Sequence, residues 1–145
     1  MVITLRAATL EDAEILFAWR NDEGTRAASH NTEPVQWSAH LDWLRRSLAM
    51  PQRRLYVALL DTFPVGTARL DLDDAGVTAL SWTVAPTHRG RGIGRALVRA
   101  AVALRSGAMR AEIKSGNVAS QHIAEAAGFR FEREIDGVLH YARHF

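Results

Sequence analysis

A chain of 145 residues, 48% of them hydrophobic, is long enough for one domain with its own core. Its formal net charge is only 18 − 16 = +2, and Lys114 is the single lysine among its arginines. The absence of cysteine excludes disulfides, thiolate nucleophiles and thiolate metal sites. No apolar run approaches the roughly 20 residues of a membrane span. No basic face interleaved with aromatics argues for nucleic acid.

The first residues alternate as a strand, Val2 to Ala7, rather than forming a basic-then-apolar leader, so a cytoplasmic protein is expected. Thr9-Leu-Glu-Asp12 is close to a capping box. It predicts a helix to about Arg20, with Ala13, Leu16 and Phe17 on one side and Asn21 to Gly24 as the stop. Residues 21 to 36 are polar and aperiodic and read as a loop. A second helix, capped by Ser38 and closed by Pro51, carries Trp37, Leu41, Leu44 and Leu48 as its apolar stripe.

Strands follow at Arg54 to Leu60, Val65 to Leu72 and Val77 to Val84, with turns at Asp61 to Pro64 and around Gly76. After a glycine-rich turn, Ile93, Leu97, Val98, Ala101 and Leu104 predict a helix that Gly107 ends. A strand at Ala108 to Ile113 and a helix from Asn117 to Ala127 come next. Two final strands, Arg130 to Ile135 and Val138 to Phe145, flank the hairpin turn Asp136-Gly137. The order is β-α-α-β-β-β-α-β-α-β-β. It describes a single α/β domain over residues 1–145 with a mixed, mostly antiparallel sheet. The helix after the glycines is the crossover between two strands. The last strand pair is expected at a sheet edge, where a second copy of the chain can pair to give a homodimer.

Chemistry concentrates in Val84-Ala-Pro-Thr-His-Arg-Gly-Arg-Gly-Ile-Gly-Arg95. Gly90, Gly92 and Gly94 let the backbone turn with its N–H groups uncovered at a helix N-terminus, a site for phosphate. Arg89, Arg91 and Arg95 add cationic donors. The spacing is neither a dinucleotide fingerprint nor a P-loop. It is Arg-x-x-Gly-x-Gly after a strand ending Val84-x-Pro86. Asn117-x-x-Ser120 and Gly128-Phe129 follow at a fixed distance. In these two motifs and in element order the chain resembles the GCN5-related N-acetyltransferases, the GNAT family.

The resemblance implies acetyl-coenzyme A as donor, with no metal and no acyl-enzyme. It implies that Arg89, Gly90, Arg91, Gly92, Ile93, Gly94 and Arg95 hold the pyrophosphate. Trp82, Thr83 and Val84 would pair with the pantetheine arm and polarise the thioester carbonyl. Asn117 would bond the arm, and Ser120 would lie near the sulfur. The family commonly has a tyrosine seven residues after the asparagine, as acid for the leaving thiolate. Here that position is Ala124, so the role falls to Ser120, to water, or to no group at all. Glu112 and Asp71 are the carboxylates considered as general base, and each also reads as a solvated strand-face charge. His140 and His144 have metal-ligand spacing for a helix but fall on a strand, so no metal site is expected.

The acceptor is a small-molecule amine in this reading. Trp19-Arg20-Asn21 at the first helix end, the polar segment with His30, and His40-x-x-Trp43 resemble the branch that includes amino-sugar nucleotide N-acetyltransferases. That branch neighbours the ribosomal-protein N-terminal acetyltransferases. Arg20 and Asn21 beside Trp19 suit a nucleotide diphosphate or sugar hydroxyls. Equally, Trp19 suits the core and Arg20 the helix C-terminus. His30 and His40 are expected at the surface. Two alternatives stand beside this reading: acetylation of a protein amino terminus, and a coenzyme A-binding module without catalysis.

Overall fold

A computed structural model describes residues 1–144. Its strands are β1 (Ile3–Ala7), β2 (Arg53–Leu60), β3 (Phe63–Leu72), β4 (Thr78–Val84), β5 (Met109–Lys114), β6 (Arg130–Ile135) and β7 (Val138–Arg143). Its helices are α1 (Ala13–Asn21), α2 (Glu23–Ala28), α3 (Trp37–Ala49), α4 (Ile93–Val102) and α5 (Val118–Ala126). The strands form one 7-stranded sheet in the order β1-β2-β3-β4-β5-β7-β6. Every neighbouring pair is antiparallel except β4 and β5. A parallel pair needs a crossover, and α4 supplies it. This is the mixed, mostly antiparallel α/β sheet expected from the sequence. The expected last strand ran to Phe145, which lies outside the described residues; β7 ends at Arg143.

Strand alternation sorts the side chains into two cores, one on each face of the sheet. Ala68, Leu70 and Leu80 pack with Ile93, Leu97 and Val98 of α4 and with Ala124 of α5. Leu55 and Val57 pack with Ala13, Leu16 and Trp19 of α1 and with Leu44 of α3. The Thr9 capping box is present: the Thr9 hydroxyl accepts from the Glu11 N–H, and Asp12 accepts from the Thr9 N–H at 2.8 Å. Asp12 is buried, and the Arg6 fork at 2.7 and 2.9 Å holds its carboxyl below the usual carboxylate range.

Two expectations are corrected on the α1–α3 side. Residues 21–36 are not all loop, because Asp22 accepts from the Thr25 N–H at 3.0 Å and starts α2. A helix this short shows no apolar period, so periodicity missed it. The second correction concerns α3. Gln36 rather than Ser38 precedes its first turn, and the buried positions are His40, Leu44 and Ser47, while Trp37 and Leu48 are exposed. Polar residues can occupy the inner face because each is bonded. His40 Nε2 donates to the Ala13 carbonyl at 2.9 Å, which leaves Nδ1 to accept from Arg20 Nη1 at 2.9 Å. The Ser47 hydroxyl accepts from Arg53 at 2.9 Å. His40 is therefore a core histidine, not a surface one.

Burial pulls the His40 pKa below 6.5, and the Arg20 charge adds to the effect. A histidine lowered in this way stabilises the fold above its unfolded pKa, and that stabilisation is lost as pH falls through 6.5 and below. A His40→Leu protein is expected to be about 1 to 3 kcal/mol less stable at neutral pH, since the Ala13 carbonyl and Arg20 lose their partner. The gap to wild type should shrink as pH falls from 7 to 5. Denaturant titrations at several pH values measure it; a gap of constant size refutes the account.

Candidate active site

The site is built from a failure of pairing. β4 and β5 pair only at Thr78↔Met109 and Ala79↔Arg110. Beyond that, β4 stays with β3 as far as Gly66↔Val84, while β5 stays with β7 as far as Lys114↔Val138. The two strands part, and the β5-facing backbone groups of Leu80 to Val84 are left without a strand partner. An unpaired strand edge inside a sheet suits an extended chain that carries amides. The cleft so formed has a volume of about 1360 Å³. Trp82, Thr83 and Val84 line one wall, Glu112, Ile113 and Lys114 the other, and the first turns of α4 and α5 close the end.

At that end the chain enters α4 through Gly90 and Gly92, both at φ 77°. A Cβ on either would meet nothing within 4 Å, so these glycines serve the backbone turn and not packing. Ala96 makes the first inward bond of the turn, to the Gly92 carbonyl at 3.3 Å. The N–H groups of residues 90 to 95 donate to no described atom. A nest of free donors at the positive end of α4 fits a diphosphate. Gly90, Gly92, Ile93, Gly94 and Arg95 line the cleft, whereas Arg91 does not. Arg89 lines it too, but its fork is occupied: it meets Asp22 at 3.0 Å and the Thr25 hydroxyl at 2.8 Å. The Thr25 N–H, with Arg89, keeps the Asp22 carboxyl below its ordinary range. Across the cleft, Lys114 Nζ donates to the Ala27 carbonyl at 3.0 Å. Thus α2 is tied to both lips.

Asn117 sits at the start of α5, where its Oδ1 accepts from the Ser120 N–H at 3.2 Å. That bond caps the helix and leaves the amide NH₂ as the group free for a ligand. Asn117 and Ser120 both line the cleft. Ala124 does not; it is fully buried in the core. Tyr141 is also a core residue and Tyr56 lies on β2, so no phenol faces the cleft. His122, one turn along α5, does face it and was not singled out from the sequence.

Of the carboxylates considered as base, only Glu112 is brought to the cleft. It lies two residues past the last β4–β5 pair, on the face opposite buried Ala111 and Ile113. Asp71 is held between Arg53 at 2.7 Å and Arg69 at 3.1 Å and does not line the cleft.

The acceptor end is formed by Arg20, His30, Trp43, Thr67 and Arg69. The Arg20 guanidinium lies 4.3 Å from the Trp43 ring centre. Burial, with Arg69 nearby, lowers the Arg20 pKa from its ordinary value. Two residues expected here are elsewhere. Trp19 is only 8% exposed, belongs to the second core, and borders only a side cavity of about 50 Å³. Asn21 spends both ends of its amide on Val35, at 2.7 and 2.9 Å, and so pins the segment after α2. Thr67 and Arg69 were missed. The signal for them was present in β3, where Arg69 alternates with buried Ala68 and Leu70 and so must face α1 and α3.

Among the described residues no group of three or more His, Cys, Asp or Glu is placed to hold a metal ion. No helix of the described residues is long and apolar enough to cross a membrane.

A profile of the family described as "Acetyltransferase (GNAT) domain" matches residues 3–130. Over 84 residues the chain is 39% identical to the mycothiol acetyltransferase of Streptomyces avermitilis. That match covers 57% of this chain but only 27% of the relative. Among solved structures, the aminoglycoside acetyltransferase AAC(6')-Ib in complex with ribostamycin and coenzyme A superposes with a TM-score of 0.88 at 23% identity. It covers 99% of this chain and 94% of that one. The spermidine N-acetyltransferase of Vibrio cholerae, in complex with coenzyme A and spermine, gives 0.87 at 19% identity over 98% and 95% of the two chains. At these identities the superpositions establish a shared fold.

Proposed function

The chain belongs to the GNAT acetyltransferase family, and from that premise we propose that it transfers an acetyl group from acetyl-coenzyme A directly to a primary amine of a small molecule. The observation that carries the proposal is the parting of β4 and β5 beside the free N–H groups of residues 90 to 95. Those donors, with Arg95, suit the pyrophosphate. The free edge of Trp82 to Val84 and the Asn117 NH₂ suit the two amides of the pantetheine arm. In that arrangement the thioester carbonyl lies against the β4 edge, where a backbone donor stabilises the oxyanion as it forms.

An alkyl amine is mostly protonated at neutral pH, so a proton must leave before nitrogen attacks. Glu112 is the carboxylate positioned to receive it, directly or through water. The nitrogen lone pair then adds to the carbonyl carbon, the C–N bond forms, and the C–S bond breaks. The amine nitrogen sheds its second proton and the thiolate sulfur gains one. Ser120 is the cleft hydroxyl suited to hydrogen-bond that sulfur.

The finer reading, an aminodeoxy-sugar nucleotide as acceptor, draws on Arg20 and on the volume of the cleft. The straps from Arg89 and Lys114 to α2 favour a small acceptor over a protein terminus, because they close the face a peptide would enter. Thiol release from acetyl-coenzyme A across amino sugars, sugar nucleotides, polyamines and peptides tests the proposal. Turnover with small amines and not with peptides is expected. Label passing from acetyl-coenzyme A into protein in an extract would replace it with the protein-terminus reading. A coenzyme A-induced thermal shift without turnover of any amine would leave a binding module.

A further inference from the structure

Two arginines face this end of the cleft with too little negative charge to balance them: among the described residues Arg20 has no carboxylate within 4.0 Å, and Arg69 shares Asp71 with Arg53. Among the described residues Arg20 bonds only to the His40 Nδ1, and it stacks over Trp43. Arg69 is ion-paired with Asp71 at 3.1 Å, although its buried Nε–H has no hydrogen-bond partner among the described residues. Asp71 is committed to Arg53 at 2.7 Å. Arg53 and Arg69 thus share one carboxylate, and among the described residues Arg20 has none. The acidic residues that do line the cleft, Glu33, Glu112 and Asp136, all lie beyond 4.0 Å from both Arg20 and Arg69.

Keeping two part-buried guanidinium groups close together, with one carboxylate that Arg53 already shares, is unfavourable unless a bound anion compensates. A guanidinium fork recognises a carboxylate or phosphate through two parallel bonds. A polycationic amine, by contrast, would meet like charge here.

We propose that the acceptor carries an oxyanion, carboxylate or phosphate, near its amine, and that Arg20 and Arg69 bind it. The proposal rests on the acetyltransferase reading and adds the class of acceptor. It makes the cleft dipolar: the oxyanion sits against β3 and α1, and the amine faces β5 and Glu112. Thr67, two residues from Arg69 on the same strand face, adds a hydroxyl donor beside the oxyanion.

The test compares ethanolamine, O-phosphoethanolamine and β-alanine, which pair one primary amine with a hydroxyl, a phosphate or a carboxylate. Spermidine is the polycationic arm. Binding to the coenzyme A-loaded protein is measured by calorimetry, and turnover by thiol release. The expected result is tighter binding of the anionic amines than of ethanolamine by about 100-fold, roughly tenfold for each arginine. Arg20→Gln and Arg69→Gln should each lower the ratio of anionic-amine to ethanolamine affinity by about tenfold. Arg69→Lys, which keeps the charge beside Asp71, should restore part of the loss and guards against misfolding. The stronger of the phosphate and carboxylate arms identifies the oxyanion. Anion-selective binding without turnover upholds this inference and removes the acetyltransferase reading. Equal binding of ethanolamine and the anionic amines, or preferred binding of spermidine, overturns the inference even where turnover is seen.

Discussion

Replacing Gly92 with aspartate is expected to abolish coenzyme A binding while leaving the protein folded. Gly92 precedes α4 at φ 77° and ψ 4°. A side chain there costs about 1 to 2 kcal/mol for the left-handed backbone, and aspartate is among the residues that tolerate it best. A Cβ at this position meets no atom within 4 Å, so there is no clash to add. The effect on binding is of another order. The new carboxylate stands in front of the free N–H groups of residues 90 to 95, the proposed pyrophosphate site. One pair of like charges about 5 Å apart repels by about 3 kcal/mol at an effective dielectric near 20. That corresponds to at least a 100-fold loss of affinity. Gly92→Asn has nearly the same shape and backbone tolerance without the charge, and should lose about tenfold or less. Calorimetric titration with coenzyme A, beside thermal unfolding of both variants, measures this. An aspartate variant that binds within threefold of wild type removes the cradle from residues 90 to 95.

The donor half of this site was legible in the sequence because its chemistry is backbone chemistry. Gly90 and Gly92 announce a turn that leaves N–H groups bare, whereas Gly94 lies inside α4, where a Cβ would meet the Ile123 side chain. The apolar period of Ile93, Leu97, Val98 and Ala101 then states which way the following helix faces. Asn117 likewise declares itself as the residue that opens α5, and in the structure it is the cap. The acceptor half was hidden for the opposite reason. There, polar side chains are buried and satisfied by partners far along the chain: His40 by Ala13 and Arg20, Asn21 by Val35, Asp22 by Arg89. Hydrophobic periodicity presumes that polar residues face water, so it placed His40 outside. The resemblance that suggested a ligand for Asn21 could not show that both ends of its amide are taken by Val35. What distinguishes Arg20 from these neighbours is that its described partners, the His40 nitrogen and the Trp43 ring, leave its charge unbalanced. Only the structure shows that no carboxylate comes to meet it.

Gly66→Ala is expected to damage stability and catalysis together, in contrast with the clean loss at Gly92. Gly66 lies in β3 opposite Val84 and is buried. A Cβ there would come within 2.3 Å of the Thr83 carbonyl oxygen and 2.9 Å of Leu97 Cδ1. The Leu97 methyl can rotate away, but the carbonyl cannot move without its strand. β4 must therefore shift away from β3 toward the cleft, and Thr83 belongs to the free edge proposed to receive the thioester. Overpacking of this kind costs about 1 to 3 kcal/mol, which for a domain of this size lowers the unfolding midpoint by about 4 to 10 °C. A displacement of the β4 edge by a few tenths of an ångström also moves the oxyanion donor. Removing or misplacing one such donor typically costs about 100-fold or more in turnover. Coenzyme A affinity should fall much less, because the pyrophosphate donors of residues 90 to 95 are untouched. Unfolding midpoints, kcat and coenzyme A titration on one variant separate these effects. A Gly66→Ala protein with wild-type kcat would place the thioester elsewhere than on the Trp82 to Val84 edge. One that loses coenzyme A binding as fully as Gly92→Asp would mean that β4, rather than the α4 turn, holds the greater share of the donor.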